Sequence, residues 1–355
     1  MIPVSAVVPS HNGGDRLLRT IGALERQTLA PTRIIVVDDA SDDGSAERLA
    51  ERYPLVSVLR LPRNLGLSAA RNAGLRHAET DLVLLVDHDI YLEPDCIERL
   101  AGALRSLQAV AACPRIRLHP ERDIVQTEGA EPHFVGTLRL RHGWKKACEL
   151  LDSDAREVPA IPGGCLLVER ARLLEAGGFD ELMTFYFEDL ELSVRLRGLG
   201  YRLVAVPTAE AYHDRGAGTP GISFRGQGLY PARRLQLTLR HRLLVILVHY
   251  RVRTLVVLAP ALAVYELANL TMAAGLGLTG EWLRAWMWQV GHASDLRERR
   301  KRVQRSRVVP DRGILVGGPL PLAPGVVRSR GVAIAVDLLS GALDVYWRLA
   351  RRFIG

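Results

Sequence analysis

The sequence predicts a doubly wound, mostly parallel α/β sheet of the Rossmann-like kind, followed by a helical extension. Three observations carry that prediction. Short runs of Val, Ile and Leu recur through the first half of the chain without polar alternation, as in strands buried on both faces of a parallel sheet. Between them lie segments with apolar residues at helical spacing, joined by short crossovers. Beyond residue 240 the pattern changes to long apolar segments beside a run of arginines.

The elements follow in order. Val4 to Val8 is the first strand, and Pro9-Ser10-His11-Asn12-Gly13-Gly14 supplies turn residues after it. Asp15 is placed to cap a helix through Gln27, with Leu17, Leu18, Ile21 and Leu24 on one face. Ile34 to Val37 is a second strand, Ser45 to Tyr53 a helix and Val56 to Leu59 a third strand. Asn64 to His77 reads as a helix whose small residues allow close packing. Leu82 to Val86 is the strongest strand signal, stopping at Asp87-His88-Asp89. A helix from Asp95 to Leu107 and a strand at Val110 to Cys113 follow. Pro114 to Pro162 shows no period and is expected to be irregular and substrate-facing. Order returns with a strand after Gly163-Gly164, a helix from Glu169 to Ala176 ended by Gly177-Gly178, and a helix opened by Glu188 and Asp189. Leu203 to Val206 is the last strand, with His213, Asp214 and a glycine-rich loop shortly beyond it.

The 355 residues accommodate one large α/β domain and an appendage, or two modest domains. The formal charge of +8 points to anionic partners: nucleic acid, anionic lipid or phosphorylated substrates. Four cysteines without C-x-x-C spacing argue against a zinc site or a disulfide framework. The opening residues lack the basic and long apolar segments of a signal peptide, so a cytosolic start is expected.

Carboxylates collect where open α/β sheets place their ligands, at the carboxyl ends of strands. Asp38-Asp39 follows the second strand and Asp87-His88-Asp89 the fourth. In extended chain Asp87 and Asp89 point the same way, and two such groups can share a hard divalent cation and through it a diphosphate. An isolated D-x-D is commonly only a cap or a turn, so the weight rests on the combination. No G-x-G-x-x-G follows the first strand and no G-x-x-x-x-G-K-[ST] occurs, which disfavours dinucleotide and P-loop chemistry. Glu188 and Asp189 in a first helical turn are stabilised as anions there, and serve equally as ordinary helix-start acids or as catalytic groups.

PSHN, VVDDASDDGS, RNLGLSAARNAG, DHD, PGGCLLVERARLLEAGGFDE and FYFEDLELSVRLRGLGYRL together resemble the family 2 glycosyltransferases of the GT-A fold, in particular bacterial rhamnosyltransferase-like members that build cell-surface polysaccharides. The resemblance covers residues 1 to 240, and implies a nucleotide-binding half (1–113) and an acceptor-binding, catalytic half (114–240). It implies that Pro9 and His11 contact the base of a nucleoside-diphosphate sugar and that Asp39 meets the base's imino N–H. By the same resemblance Arg71 would help hold the nucleotide, and Asp87 would lie near the ribose or the metal. Asp89 matches the main ligand of Mg²⁺ or Mn²⁺, His213 matches a histidine that completes the metal site, and Gly163 and Gly164 would line the donor sugar or the acceptor. Asp189 occupies the place of the general base, with Glu188 beside it, in an inverting transfer to a saccharide or lipid-linked acceptor. His88 and His11 depart from residues common in relatives, which leaves a UDP-, dTDP- or GDP-sugar open. A sugar-nucleotidyltransferase and a non-catalytic scaffold are the competing readings. The first needs a basic phosphate loop that PSHNGGD lacks, and the intact acids argue against the second.

Residues 241–355 are read as a membrane-associating region. Leu243 to Val248 and Leu255 to Leu278 are apolar, and Glu266 and Asn269 make a lone span costly, so helices lying in the interface are expected. Trp282, Trp286 and Trp288 suit the headgroup level. The basic run Arg297, Arg299, Arg300, Lys301, Arg302, Arg305 and Arg307 suits an anionic membrane. Nucleic acid is the lesser expectation, because no aromatics interleave with those arginines. The resulting expectation is a cytoplasmic protein, peripheral on the inner face of the cell membrane, with oligomerisation left open.

Overall fold

The computed structural model describes residues 3–215, 230–321 and 330–355. The predicted glycine-rich loop after Asp214 falls mainly outside them. The chain divides into two compact units. The first comprises Met1–Ala130, Leu140–Leu196 and Tyr201–Gly216, and the second Glu131–Arg139, Arg197–Gly200 and Ala217–Gly355.

The first unit begins with strands β1 (Val4–Ser10), β2 (Arg33–Asp38), β3 (Ser57–Arg60) and β4 (Leu82–Val86), interleaved with helices α1 (Gly14–Glu25), α2 (Ser45–Arg52) and α3 (Leu67–His77). These four strands run parallel in the order β4-β1-β2-β3. Then come β5 (Ile90–Leu92), α4 (Cys96–Ser106), β6 (Ala111–His119) and β7 (Val125–Thr127). β8 (Ala130–His133) and β9 (Thr137–Leu140) pair as a separate two-stranded sheet, most of it in the second unit, and the first unit resumes with β10 (Arg156–Glu157), β11 (Cys165–Glu169), α5 (Arg170–Glu175), α6 (Glu188–Gly198) and β12 (Leu203–Asp214). The main sheet has the order β10-β12-β6-β11-β4-β1-β2-β3.

Alternate strand residues feed two buried layers. Val4, Ala6 and Val8 pack with Leu17, Ile21 and Leu24 of α1 and Ile97 and Leu100 of α4. Val7, Ile35 and Val37 face Ala70 and Leu75 of α3 and Leu192 and Leu196 of α6. That double layer is why the strands read as continuous apolar runs. Gly74 of α3 completes the fit, since a methyl group there would stand 2.2 Å from Val7 Cγ1.

Beyond β4 the sheet is mixed, with β12 parallel to β6 but β11 against the direction of its neighbours. β11 runs antiparallel to both β4 and β6, because it enters after a long excursion instead of a short helical crossover. The stretch from Pro114 to Pro162 is more ordered than its sequence suggests: β6 continues to His119, and β7, β8, β9 and β10 all fall within it. The final strand runs on to Asp214 through an irregularity between Val206 and Glu210, so His213 lies on the strand and not beyond it. Asp15 sits in the first turn of α1, and no side chain caps that helix. Helix α3 begins at Leu67 and not at Asn64. Gly66 before it has φ +92°, and a β-carbon there would stand 2.9 Å from the Thr184 carbonyl oxygen.

The second unit is mainly helical: α7 (Ala232–His249), α8 (Val252–Gly275), α9 (Thr279–Gly291), α10 (Ala293–Ser306) and α11 (Arg330–Ala350). By length and composition α8 could cross a membrane, and only 11% of its most apolar window is buried. Its Glu266 is not left bare. Trp282 and Trp286 both donate their indole N–H to Glu266 Oε1, at 2.7 and 2.8 Å, and Arg242 meets Oε2 at 2.9 Å. The indole N–H groups of those two tryptophans are thus engaged inside the unit, while their rings stay partly exposed. Trp288 stacks on His292 at 4.0 Å. The basic run is likewise partly consumed: Arg300 donates to the Leu247 and Tyr250 carbonyls, and Arg307 pairs with Asp311. Arg297, Arg302 and Arg305 remain exposed.

Candidate active site

Every candidate site residue lies in the first unit. At the end of β1, Pro9 is buried and His11 exposed, and the His11 Nδ1–H donates to the Asp39 carbonyl at 2.9 Å. Asp39 is buried, and its carboxylate accepts two backbone N–H groups, Leu65 at 2.7 Å and Gly66 at 2.8 Å. Asp38 accepts the Ser41 N–H at 3.0 Å and pairs with Arg60 at 3.0 Å. The β2-end acids therefore organise loops as well as offering oxygens.

The Asp87-His88-Asp89 segment is a turn, closed by the Ile90 N–H on the Asp87 carbonyl at 3.0 Å. Strand alternation therefore does not govern it, and the two carboxylates take different partners. Asp87 Oδ1 accepts from Arg71 Nη2 at 2.8 Å, while Asp89 Oδ2 stands 3.3 Å from His213 Nε2. Burial opposes ionisation of Asp89, yet the adjacent His213 holds its carboxyl well below the usual carboxylate range. Among the described residues no group of three or more His, Cys, Asp or Glu side chains gathers closely enough to hold a metal ion. The protein itself offers one carboxylate and one imidazole.

Arg71 is the hub. Only 1% exposed, it donates to Asp87, to the Gly163 carbonyl at 2.7 Å and to Glu188 Oε1 at 3.0 Å. Burial would weaken so enclosed a cation, but Asp87 and Glu188 outweigh it and raise its pKa. Gly163 keeps this packing close: a β-carbon would stand 3.1 Å from Arg71, 3.2 Å from Asp189 and 3.3 Å from Glu188, so the cluster would have to give by a few tenths of an ångström. At Gly164 a β-carbon would stand 2.7 Å from Ile90 Cδ1, so both glycines admit neighbouring protein groups.

Glu188 and Asp189 divide at the start of α6. Glu188 is buried, and its Oε2 has no hydrogen-bond partner. Burial and the neighbouring Asp189 push its carboxyl up to about 7, against the pull of Arg71. Asp189 is half-buried, and its Oδ2 accepts the Gly163 N–H at 3.1 Å. Burial raises its pKa as well, opposed by the N–H groups of Gly163 and Leu190. Just before this pair, Tyr186 and Phe187 have φ +67° and +65°. Two consecutive non-glycine residues in the left-handed region are costly, about 1–3 kcal/mol each, and such outliers cluster at functional sites.

Sequence reasoning missed the groups that support these side chains. Gln126 Oε1 accepts from His213 Nδ1 at 2.7 Å, and Asn72 accepts the Phe179 N–H at 2.8 Å and donates to the Phe179 carbonyl at 2.9 Å. Asn72 lies within a quoted motif, but nothing local marked Gln126.

The site thus sits on a sheet that is parallel in its first half, with acids at two strand ends and a further acid pair at the start of α6. Residues 5–153 match the family described as Glycosyl transferase family 2. The chain is 30% identical over 241 residues to the N-acetylglucosaminyl-diphospho-decaprenol L-rhamnosyltransferase of Mycobacterium tuberculosis, covering 62% of this chain and 78% of that protein. It is 29% identical over 220 residues to the pre-mycofactocin glycosyltransferase of the same species, covering 59% and 42%. A crystal structure of GalNAc-T7 with UDP, GalNAc and Mn²⁺ shares the fold, with a TM-score of 0.57 and 22% identity over 70% of this chain and 48% of that one. The chain belongs to glycosyltransferase family 2. It is a glycosyltransferase, and the scaffold and nucleotidyltransferase readings fall away.

Proposed function

We propose that the chain is an inverting, metal-dependent transferase moving a sugar from a nucleoside-diphosphate sugar to a hydroxyl of a lipid-linked saccharide, in the synthesis of a cell-surface polysaccharide or glycolipid. The observation that carries this reading is the Arg71 hub, which ties Asp87 at the end of β4 to the acids that open α6. Asp189, the more exposed of the two acids, is the general base that takes the acceptor hydroxyl's proton, a contribution of ~10²–10⁴-fold. Glu188 is the positioning residue that sets Arg71. Pro9, His11 and Asp39 border the base, and Gly163 and Gly164 border the sugar.

Asp89 and His213 would hold Mg²⁺ or Mn²⁺. A carboxylate and an imidazole suit a borderline to hard divalent ion, and their 3.3 Å separation suits two donors on one centre. Bound there, the ion would neutralise charge on the departing diphosphate. The mycobacterial relative, named for an N-acetylglucosaminyl-diphospho-decaprenol substrate, supports a lipid-linked acceptor.

The second unit supports a peripheral membrane location on the cytoplasmic face. Val256, Val264 and Leu267 of α8, Met287 and Val290 of α9, and Leu338 and Leu349 of α11 are exposed. These faces would enter the boundary between headgroups and acyl chains, with Arg297, Arg302 and Arg305 over anionic lipid. Flotation with anionic liposomes at low salt checks this. Leu267→Asp should reduce binding, and a wild-type protein left at the bottom of the gradient would end the membrane reading.

The central test uses UDP-, dTDP- and GDP-sugars with Mn²⁺. One of them should raise the thermal midpoint and undergo slow metal-dependent hydrolysis, which Asp89→Ala abolishes. Hydrolysis that persists in Asp89→Ala would remove Asp89 from the metal role.

A further inference from the structure

We infer that Gln126 is a positioning residue that fixes the ring orientation and tautomer of His213, so that Nε2 presents its lone pair beside Asp89. The inference rests on the reading that Asp89 and His213 hold a divalent cation. Two independent features of the fold point to it.

The first is a β-bulge. Strand β7 pairs with β6 through Ile116↔Thr127 and Arg117↔Val125, so two consecutive residues of β6 face residues of β7 that are two apart. Gln126 is the extra residue. Bulges re-aim a side chain, and they are over-represented beside active sites. The bulged strand is held from its other side, where the Trp144 N–H donates to the Val125 carbonyl at 2.8 Å.

The second is the chain of polar contacts. Gln126 Oε1 is 2.7 Å from His213 Nδ1, and an amide oxygen only accepts, so Nδ1 carries the hydrogen. That leaves Nε2, 3.3 Å from Asp89 Oδ2, as the ring nitrogen able to ligate. In the metal-free protein Nε2 can share a hydrogen with Asp89, and a cation binding there would replace that hydrogen between the two atoms. Histidine ligands ordinarily have their second nitrogen anchored in this way, and loss of the anchor typically costs about 10–100-fold in metal affinity. Asp89 is fixed separately, its carbonyl accepting the Asp214 N–H at 2.8 Å, so both donors are braced at the same end of β12. Gln126 touches neither donor nor acceptor sugar in this scheme. It acts only through the histidine.

Mn²⁺ titration of the full chain in the presence of UDP, followed by electron paramagnetic resonance of free Mn²⁺, tests this without reference to turnover. Gln126→Met keeps the side-chain length and loses the acceptor, and should weaken Mn²⁺ binding about 10–100-fold. Gln126→Glu restores an acceptor for Nδ1–H and should bind Mn²⁺ at least as well as wild type. In ¹⁵N-histidine spectra of the metal-free protein, His213 should show the Nδ1–H tautomer in wild type and lose that bias in Gln126→Met. Equal Mn²⁺ affinity in wild type and Gln126→Met would overturn the inference. So would equal weakening in both variants, which would mark a packing role for the bulge. A wild-type chain that binds UDP but no Mn²⁺ would instead remove the metal reading itself, and the tautomer spectrum would still report on the Gln126–His213 contact.

Discussion

Two strand ends of one sheet each carry a pair of carboxylates, and the structure uses them differently. At the end of β2, Asp38 and Asp39 are turned largely into scaffolding. Asp39 gives both oxygens to the backbone N–H groups of Leu65 and Gly66, and Asp38 gives one to Ser41 and its other to the half-exposed Arg60. At the end of β4, Asp87 and Asp89 meet side chains instead, a guanidinium and an imidazole. Carboxylates bound to backbone amides fix loops, whereas carboxylates bound to side chains stay available for exchange with a ligand. Strand-end acids that look alike in sequence therefore divide by what holds them, mainly backbone amides at one end and side chains at the other.

The sharpest way to test that division lies with the acids Arg71 connects to the β4 end. Asp189→Asn should lower transfer by roughly 10²–10⁴-fold while UDP binding stays intact. Loss of UDP binding in that variant would move the base elsewhere. Arg71→Met should be the most destabilising change, because it strands Glu188 and Asp87 beside an apolar chain. Breaking a buried ion pair from one side costs about 3–5 kcal/mol, readable as a lower denaturant midpoint. A change smaller than 1 kcal/mol would mean the hub is dispensable.

Asp39→Ala tests the other strand end. Removing a charged acceptor from two backbone donors should cost about 1–3 kcal/mol in equilibrium unfolding. If the variant kept its stability and lost only selectivity among nucleotide bases, Asp39 would belong with the chemistry and the comparison would break. The smallest expected effect is a pH dependence. The folded-state carboxyl of Glu188 lies near 7, above its ordinary 4.5, so the folded protein holds that proton more tightly than the unfolded chain. The stability this gives is fully present below the ordinary value and is lost as pH rises through about 7. Glu188→Gln removes the titration. Its thermal midpoint should therefore gain on wild type between about pH 5 and pH 8, and parallel curves would show that Glu188 is not titrating there.

Much of this was legible in the sequence, for identifiable reasons. Runs such as Leu82 to Val86 are apolar because both faces are covered, and that condition writes itself into consecutive residues. Asp87, Asp89, Asp189 and Arg71 stood out because the motifs around them are local. The antiparallel entry of β11 was not legible, since strand direction depends on a distant pairing partner. Neither was Gln126, whose partner His213 lies 87 residues away and leaves no local period. The left-handed pair Tyr186-Phe187 was hidden too, because neither residue type advertises that conformation.

The knot at Glu266 limits how the helical unit can travel. Three donors from two other helices converge on that one carboxylate in the middle of α8. Pulling α8 alone into hydrocarbon would leave an anion stripped of every partner, together with an orphaned guanidinium on α7 and two unpaired indoles on α9. The three helices consequently move as one raft: whatever depth α8 reaches in a lipid layer, α7 and α9 go with it.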